Sequence, residues 1–160
     1  MEKIPLSAMD KAVKLLSRRA LSEAELRKKL FDAGFPEDEI TDTIEKCRKH
    51  RYIDDALLAG DYTALLRERN TGSRLIRQKL ARRGLAGEIV DRQLPEDDSE
   101  TAEHDAARRA LDYKWRLLAK ENDLRKKREK AFRYLAGRGF PPGLIFELIS
   151  ELVQTENADC

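Results

Sequence analysis

The sequence predicts an all-α fold of three tandem three-helix repeats forming an elongated, curved molecule. Two observations carry that expectation: six residues recur three times in register, and helix-cap chemistry stands at the same point of each copy. Leu26, Leu30, Gly34, Phe35, Ile40 and Ile44 return as Ile76, Leu80, Gly84, Leu85, Val90 and Leu94 on adding 50, and as Ala131, Leu135, Gly139, Phe140, Ile145 and Ile149 on adding 105. Self-similarity at such a period is the mark of a helical-repeat architecture. Composition agrees, because 39% of the residues are charged and only 6% aromatic. Such a chain favours exposed helices and is poor in residues that fill a large core.

Within the first copy, Ala8, Ala12, Leu15, Leu16 and Arg19 keep three-to-four spacing, which predicts a first helix, and Ser22 caps the next. Leu26 and Leu30 share one face of that second helix, Gly34 supplies its left-handed cap, and Phe35 folds back as the apolar contact of the cap. Pro36 followed by Glu37, Asp38 and Glu39 suits the start of a third helix, where proline loses no hydrogen bond and acids meet the helix dipole. In the second copy Asp54 and Asp55 stand where helix N-caps belong, and Leu58, Tyr62, Leu65 and Leu66 form the stripe. In the third, Ala107, Ala110, Leu111 and Leu118 form it with Trp115 at its edge, and Pro141 and Pro142 open the last helix. Joins near Tyr52 to Asp55 and near Leu94 to Ser99 divide the chain into units 1–53, 54–97 and 98–160. Three short helices make a marginal core, so stacking of neighbours has to supply part of the stability.

Converging catalytic groups are absent from this pattern. His50 and His104 lack a second His or Cys at ligand spacing, and Cys47 and Cys160 form no CxxC pair, so neither a metal site nor a disulfide framework is expected. Gly34, Gly84 and Gly139 stand singly, which fits caps and excludes a phosphate-cradling glycine loop. Cys47 aligns with the apolar Leu152 and reads as a buried small hydrophobe, while Cys160 is terminal and carries no inference. No apolar run approaches the roughly 18 residues of a membrane span, and the N-terminus has no signal core. The expectation is a cytoplasmic, monomeric, non-enzymatic protein without cofactors.

The net charge of +2 hides an uneven distribution. One basic block runs from Arg67 to Arg83 and another from Lys114 to Arg133, separated by Glu96, Asp97, Asp98, Glu100, Glu103 and Asp105. Turning Ile76 and Leu80 inward at about 100° per residue points Arg74, Gln78 and Arg82 away from the core, with Arg77 on one flank and Lys79 and Arg83 on the other. The aligned helix of the first copy carries Arg27, Lys28 and Lys29, and that of the third Arg128, Lys130 and Arg133. Arg27, Lys28, Arg74, Arg77, Arg82 and Arg83 are therefore the candidate partner-binding residues. Such a basic surface fits nucleic-acid phosphates and an acidic protein groove equally well.

The segment LLSRRALSEAELRKKLFDAGF, the junction Tyr52-Ile53-Asp54-Asp55, Tyr62, and the stretch from Gly72 to Gly84 with Arg74, Ile76, Arg77, Lys79 and Leu80 together resemble the RecX family of recombinase regulators. The resemblance spans nearly the whole chain and is looser from Lys130 to Ile149. It implies three tandem three-helix units that bind the RecA recombinase in the helical groove of its filament on DNA. It further implies that they curb RecA's ATP hydrolysis, strand exchange and SOS co-protease activity. The alternative is a basic helical protein acting directly on single- or double-stranded DNA through helix-turn-helix-like modules. Against it, the basic helices lack the Asn, Gln and Ser mixture useful for reading bases.

Overall fold

The computed structural model describes residues 5–158, with 96–99 in backbone only. Among the described residues all regular structure is helical: α1 (Ala8–Leu16), α2 (Glu23–Asp32), α3 (Glu37–Lys49), α4 (Asp55–Glu68), α5 (Ser73–Arg82), α6 (Glu88–Gln93), α7 (Glu96–Leu117), α8 (Leu124–Gly137) and α9 (Pro142–Ala158). Cys160 lies outside the described residues.

The threefold sequence pattern has one physical origin, the turn after α2, α5 and α8. Gly34, Gly84 and Gly139 take φ of +90°, +74° and +89°, a region that costs an L side chain about 1–2 kcal/mol. The glycine N–H groups donate to the carbonyls of Phe31, Ala81 and Ala136 at 2.9, 2.9 and 3.0 Å. The next amides, of Phe35, Leu85 and Phe140, reach back to Leu30, Leu80 and Leu135 at 3.2, 3.0 and 3.3 Å. That pair of bonds is the Schellman cap, and it explains why glycine plus a large apolar residue recurs. The aligned apolar residues are all at most 5% exposed except the half-buried Phe35.

Cap chemistry places the helix starts as the sequence predicts. Ser22 and Glu25 form a reciprocal capping box on α2, and Pro36 is the N-cap of α3 with Glu37, Asp38 and Glu39 in its first turn. Four details differ from expectation. α1 ends at Leu16, before Arg19, because the Arg18 N–H bonds only three residues back, to Leu15 at 3.2 Å, and the α-helical ladder stops there. On α4 Leu66 is buried as expected and Leu58 and Tyr62 are half-buried, but Leu65 is exposed and Ala59 and Thr63 complete the buried side. Trp115 is buried among the side chains of the third core instead of lying at its edge. The join expected at Leu94 to Ser99 is nearly absent, since Pro95 is the N-cap of a helix that starts at Glu96; a proline followed by acids is itself a helix-start signal. The expected acidic side chains of Glu96, Asp97 and Asp98 lie outside the described ones.

Two compact units make up the chain, one reaching to Tyr62 and including Leu80–Val90, the other comprising Thr63–Lys79 and everything from Asp91. Their boundary runs through α4, α5 and α6. In the first unit α1, α2 and α3 pack on one another around Ala12, Leu26, Leu30, Ile40, Ile44 and Cys47. Burial pushes the Cys47 thiol up from its usual range, as expected of a small core residue. In the second unit α7, α8 and α9 enclose Leu111, Trp115, Leu135, Phe140, Ile145 and Leu148.

Each unit contains the same joint. In the first, Ser22 at the start of α2 donates its hydroxyl to the Arg83 carbonyl. The Arg83 guanidinium donates to the Ala20 carbonyl at 2.9 Å and to Glu25 at 2.9 and 3.1 Å, and it lies 5.2 Å over the Tyr62 ring. Asp55 accepts the Glu23 N–H at 2.9 Å. In the second, Gly72 before α5 donates its N–H to the Arg138 carbonyl at 2.8 Å. Arg138 donates to the carbonyls of Asn70 at 3.0 Å and of Arg69, and lies 5.6 Å over the Tyr134 ring. Glu103 accepts the Ser73 N–H at 2.9 Å. Ser22 aligns with Gly72, and Arg83 with Arg138, whereas the first copy has Ala33 at the arginine position. A Cβ on Gly84 or Gly139 would meet neighbouring chain at 2.4 Å, but one on Gly34 meets nothing within 4 Å. The arginine stands where the turn is engaged and is missing where it is open.

Candidate partner-binding surface

The six residues nominated from the sequence fall into three environments. Arg74 and Arg82 are exposed on α5. Among the described residues neither has a charged or hydrogen-bonding partner. Arg27, Lys28 and Arg77 are engaged, but by exposed acids. Arg27 bridges to Glu37 and reaches Thr41 at 3.4 Å, Lys28 pairs with Asp32 at 2.9 Å, and Arg77 pairs with Asp91 at 3.0 Å. Surface pairs of this kind are worth about 0–1 kcal/mol and are readily exchanged for a better partner. Arg77 is the more fixed of the three, because it also donates to the Leu94 carbonyl at 3.0 Å.

Arg83 is in the third environment. Its side chain is 17% exposed and its guanidinium is committed to Glu25, Ala20 and Tyr62. It holds the first joint together. Burial pushes the Glu25 carboxyl up, but the hydrogen bonds from Arg83 and the Ser22 N–H, with the charges of Arg83 and Arg19, outweigh that and leave it below its usual value.

α5 itself carries Arg74, Arg77, Lys79 and Arg82 and no acid. Asp54 accepts the Leu57 N–H at 3.0 Å and caps its own helix, as expected, whereas Asp55 reaches the start of α2. Burial pushes the Asp55 carboxyl up, opposed by the Glu23 N–H. Sequence reasoning missed Arg138, Glu103 and Asp55 as joint residues. The available signal was the pairing of arginine with the cap glycine in Arg83-Gly84 and Arg138-Gly139, against Ala33-Gly34. Among the described residues no group of His, Cys, Asp and Glu is placed to hold a metal, and no helix is long and apolar enough to cross a membrane.

Fold and surface together define an all-helical protein of tandem three-helix domains with a basic, acid-free helix on its exterior. Residues 8–47 match the family model of the RecX first three-helix domain, and residues 101–149 that of the RecX third three-helix domain. The chain is 34% identical over 137 residues to the regulatory protein RecX of Mannheimia succiniciproducens, covering 83% of this chain and 86% of that one. It is 31% identical to that of Vibrio campbellii over 96% and 94% of the two chains. The chain belongs to the RecX family of regulatory proteins. A crystal structure of RecX from Lactobacillus salivarius shares the fold at TM-score 0.76 and 21% identity, over 92% of this chain and 95% of that one. A second crystal structure of regulatory protein RecX matches at TM-score 0.74 and 23% identity, over 90% and 70%.

Proposed function

We propose that this protein binds the RecA recombinase filament on DNA and restrains its ATPase, strand-exchange and co-protease activities, acting as a cytoplasmic monomer without catalysis of its own. Membership of the RecX family supports RecA as the partner. The observation that carries the surface assignment is α5, which bears no acid and where Arg74 and Arg82 stand exposed without a partner among the described residues. An unpaired surface cation gives up no internal partner when it meets an acidic groove, so its attraction goes into association. Arg27, Lys28 and Arg77 support the contact by exchanging their exposed acids, and Arg83 contributes by holding the first joint.

The test is RecA's single-stranded-DNA-dependent ATPase with wild-type protein and with the double variant Arg74→Glu, Arg82→Glu. Wild type lowers the rate. The folded double variant loses inhibition, since reversal adds like-charge repulsion worth several kcal/mol at an interface. Full inhibition by the folded double variant would overturn the surface assignment, and no inhibition by excess wild type would overturn the function. Binding to DNA without RecA that collapses between about 50 and 200 mM salt would favour direct phosphate contact instead.

A further inference from the structure

The third triplet carries an opening that none of these contacts uses. A pocket of about 420 Å³ is lined by Phe132, Phe146 and Ile149 of α8 and α9, together with Arg128, Glu129 and Arg133. Phe146 is 63% exposed, and its ring centroid lies 4.9 Å from that of Phe132. An accessible aromatic pair beside an apolar recess is unusual on so charged a chain and has the make-up of an interface anchor site.

The electrostatics select the occupant. α8 carries Arg125, Lys126, Lys127, Arg128, Lys130 and Arg133 against the single acid Glu129. Glu129 is already shared by Arg125 at 3.4 Å and Arg133 at 3.9 Å. Lys130 is held by Glu121 at 2.6 Å, and Lys127 lies 4.1 Å over the Trp115 ring. Arg128 has no partner among the described residues. The recess is thus apolar and its surroundings strongly positive.

We propose that this pocket docks an acidic protein segment, receiving one large apolar side chain against Phe132 and Phe146 and meeting flanking carboxylates with Arg128 and Arg133. An anchor in an apolar pocket ringed by charge is the arrangement of a protein hot spot. A nucleic acid fits less well. A base in the recess would bury its polar edges against Phe132 and Ile149. This surface is separate from α5, so the proposal stands apart from the assignment of Arg74 and Arg82.

The experiment is fluorescence anisotropy with the full chain and three fluorescein-labelled probes: a synthetic peptide of Asp and Glu with a central Leu-Phe pair, the same peptide with both anchors replaced by Ser, and oligothymidylate. The anchored peptide is expected to bind at least about tenfold more tightly than the Ser peptide. Phe146→Ser should weaken it by about tenfold or more, as should the pair Arg128→Glu, Arg133→Glu, which leaves the apolar lining intact. Both variants alter exposed residues and should keep wild-type helicity. Equal affinity for the two peptides would overturn the anchor, and no saturable peptide binding would overturn the site. Oligothymidylate binding more tightly than the anchored peptide and lost in Phe146→Ser would make the pocket a base-stacking platform instead.

Discussion

Arg82 and Arg83 are neighbours of identical chemistry, and the structure gives them opposite work. Replacing Arg83 by Ala removes two charge-assisted bonds to Glu25 and one to the Ala20 carbonyl, together with the stacking on Tyr62. Hydrogen bonds to charged groups contribute about 1.5–3 kcal/mol each when well shielded. Here the side chains of Arg83 and Glu25 are 17% and 18% exposed, and Glu25 keeps Arg19 at 3.3 Å and the Ser22 N–H at 2.9 Å. Part of the loss is therefore recovered, and the net cost is expected near 2–3 kcal/mol, well below the sum of the separate bonds. For a chain of this size that lowers the melting temperature by about 5–10 °C. Arg82→Ala should change stability by no more than about 0.5 kcal/mol, because nothing in the fold depends on that side chain. Urea and thermal unfolding of the two variants, with Glu25→Ala and the double variant closing a mutant cycle, measure this directly. An Arg83→Ala protein as stable as wild type, or a cycle showing no coupling between Arg83 and Glu25, would refute the clamp.

Glycine at 72 is required by space, since a Cβ there would lie 2.5 Å from the Gly139 carbonyl carbon and would break the 2.8 Å bond from the Gly72 N–H to Arg138. Overpacking and the lost bond, less the entropic gain of leaving glycine, predict about 2–3 kcal/mol of destabilisation for Gly72→Ala in urea melts. Gly34→Ala, with open space around it, should cost only the left-handed backbone term of about 1–2 kcal/mol. Acid should act on the first joint in two opposed ways. Glu25 sits below its usual 4.5, so its contribution is complete above that value and fades as pH falls through the folded one. Asp55 sits above its usual 3.8, so its contribution is complete below that value and is lost as pH rises through the folded one. The stability deficit of Glu25→Gln should accordingly shrink in acid, while wild type should gain relative to Asp55→Asn, both read from urea melts across that range.

The parts of this molecule legible in its sequence are those decided within one turn of chain. Gly34, Gly84 and Gly139 announce the left-handed caps because few residues tolerate that backbone, and the apolar residues four apart announce the buried side of α2, α5 and α8. What stayed hidden depends on residues distant in sequence. Helical spacing puts Trp115 at the edge of its stripe, yet the ring is buried and its indole N–H donates at 2.7 Å to Glu156, 41 residues on. Asp55 looked like an ordinary cap because its own helix starts there, yet its carboxylate holds Glu23, 32 residues earlier. The arginines show the limit most clearly. Helical spacing points Arg74 and Arg82 outward and puts Arg83 on a flank, but Arg83 follows the last residue of α5, where the chain turns and the helical projection ceases to apply. From there its side chain reaches Glu25 and leaves the solvent. Arg83 is a joint residue because a half-buried acid from another part of the chain, Glu25, has claimed it. Arg74, Arg82 and Arg128 have no partner among the described residues, so their reversal should change association while leaving the fold in place.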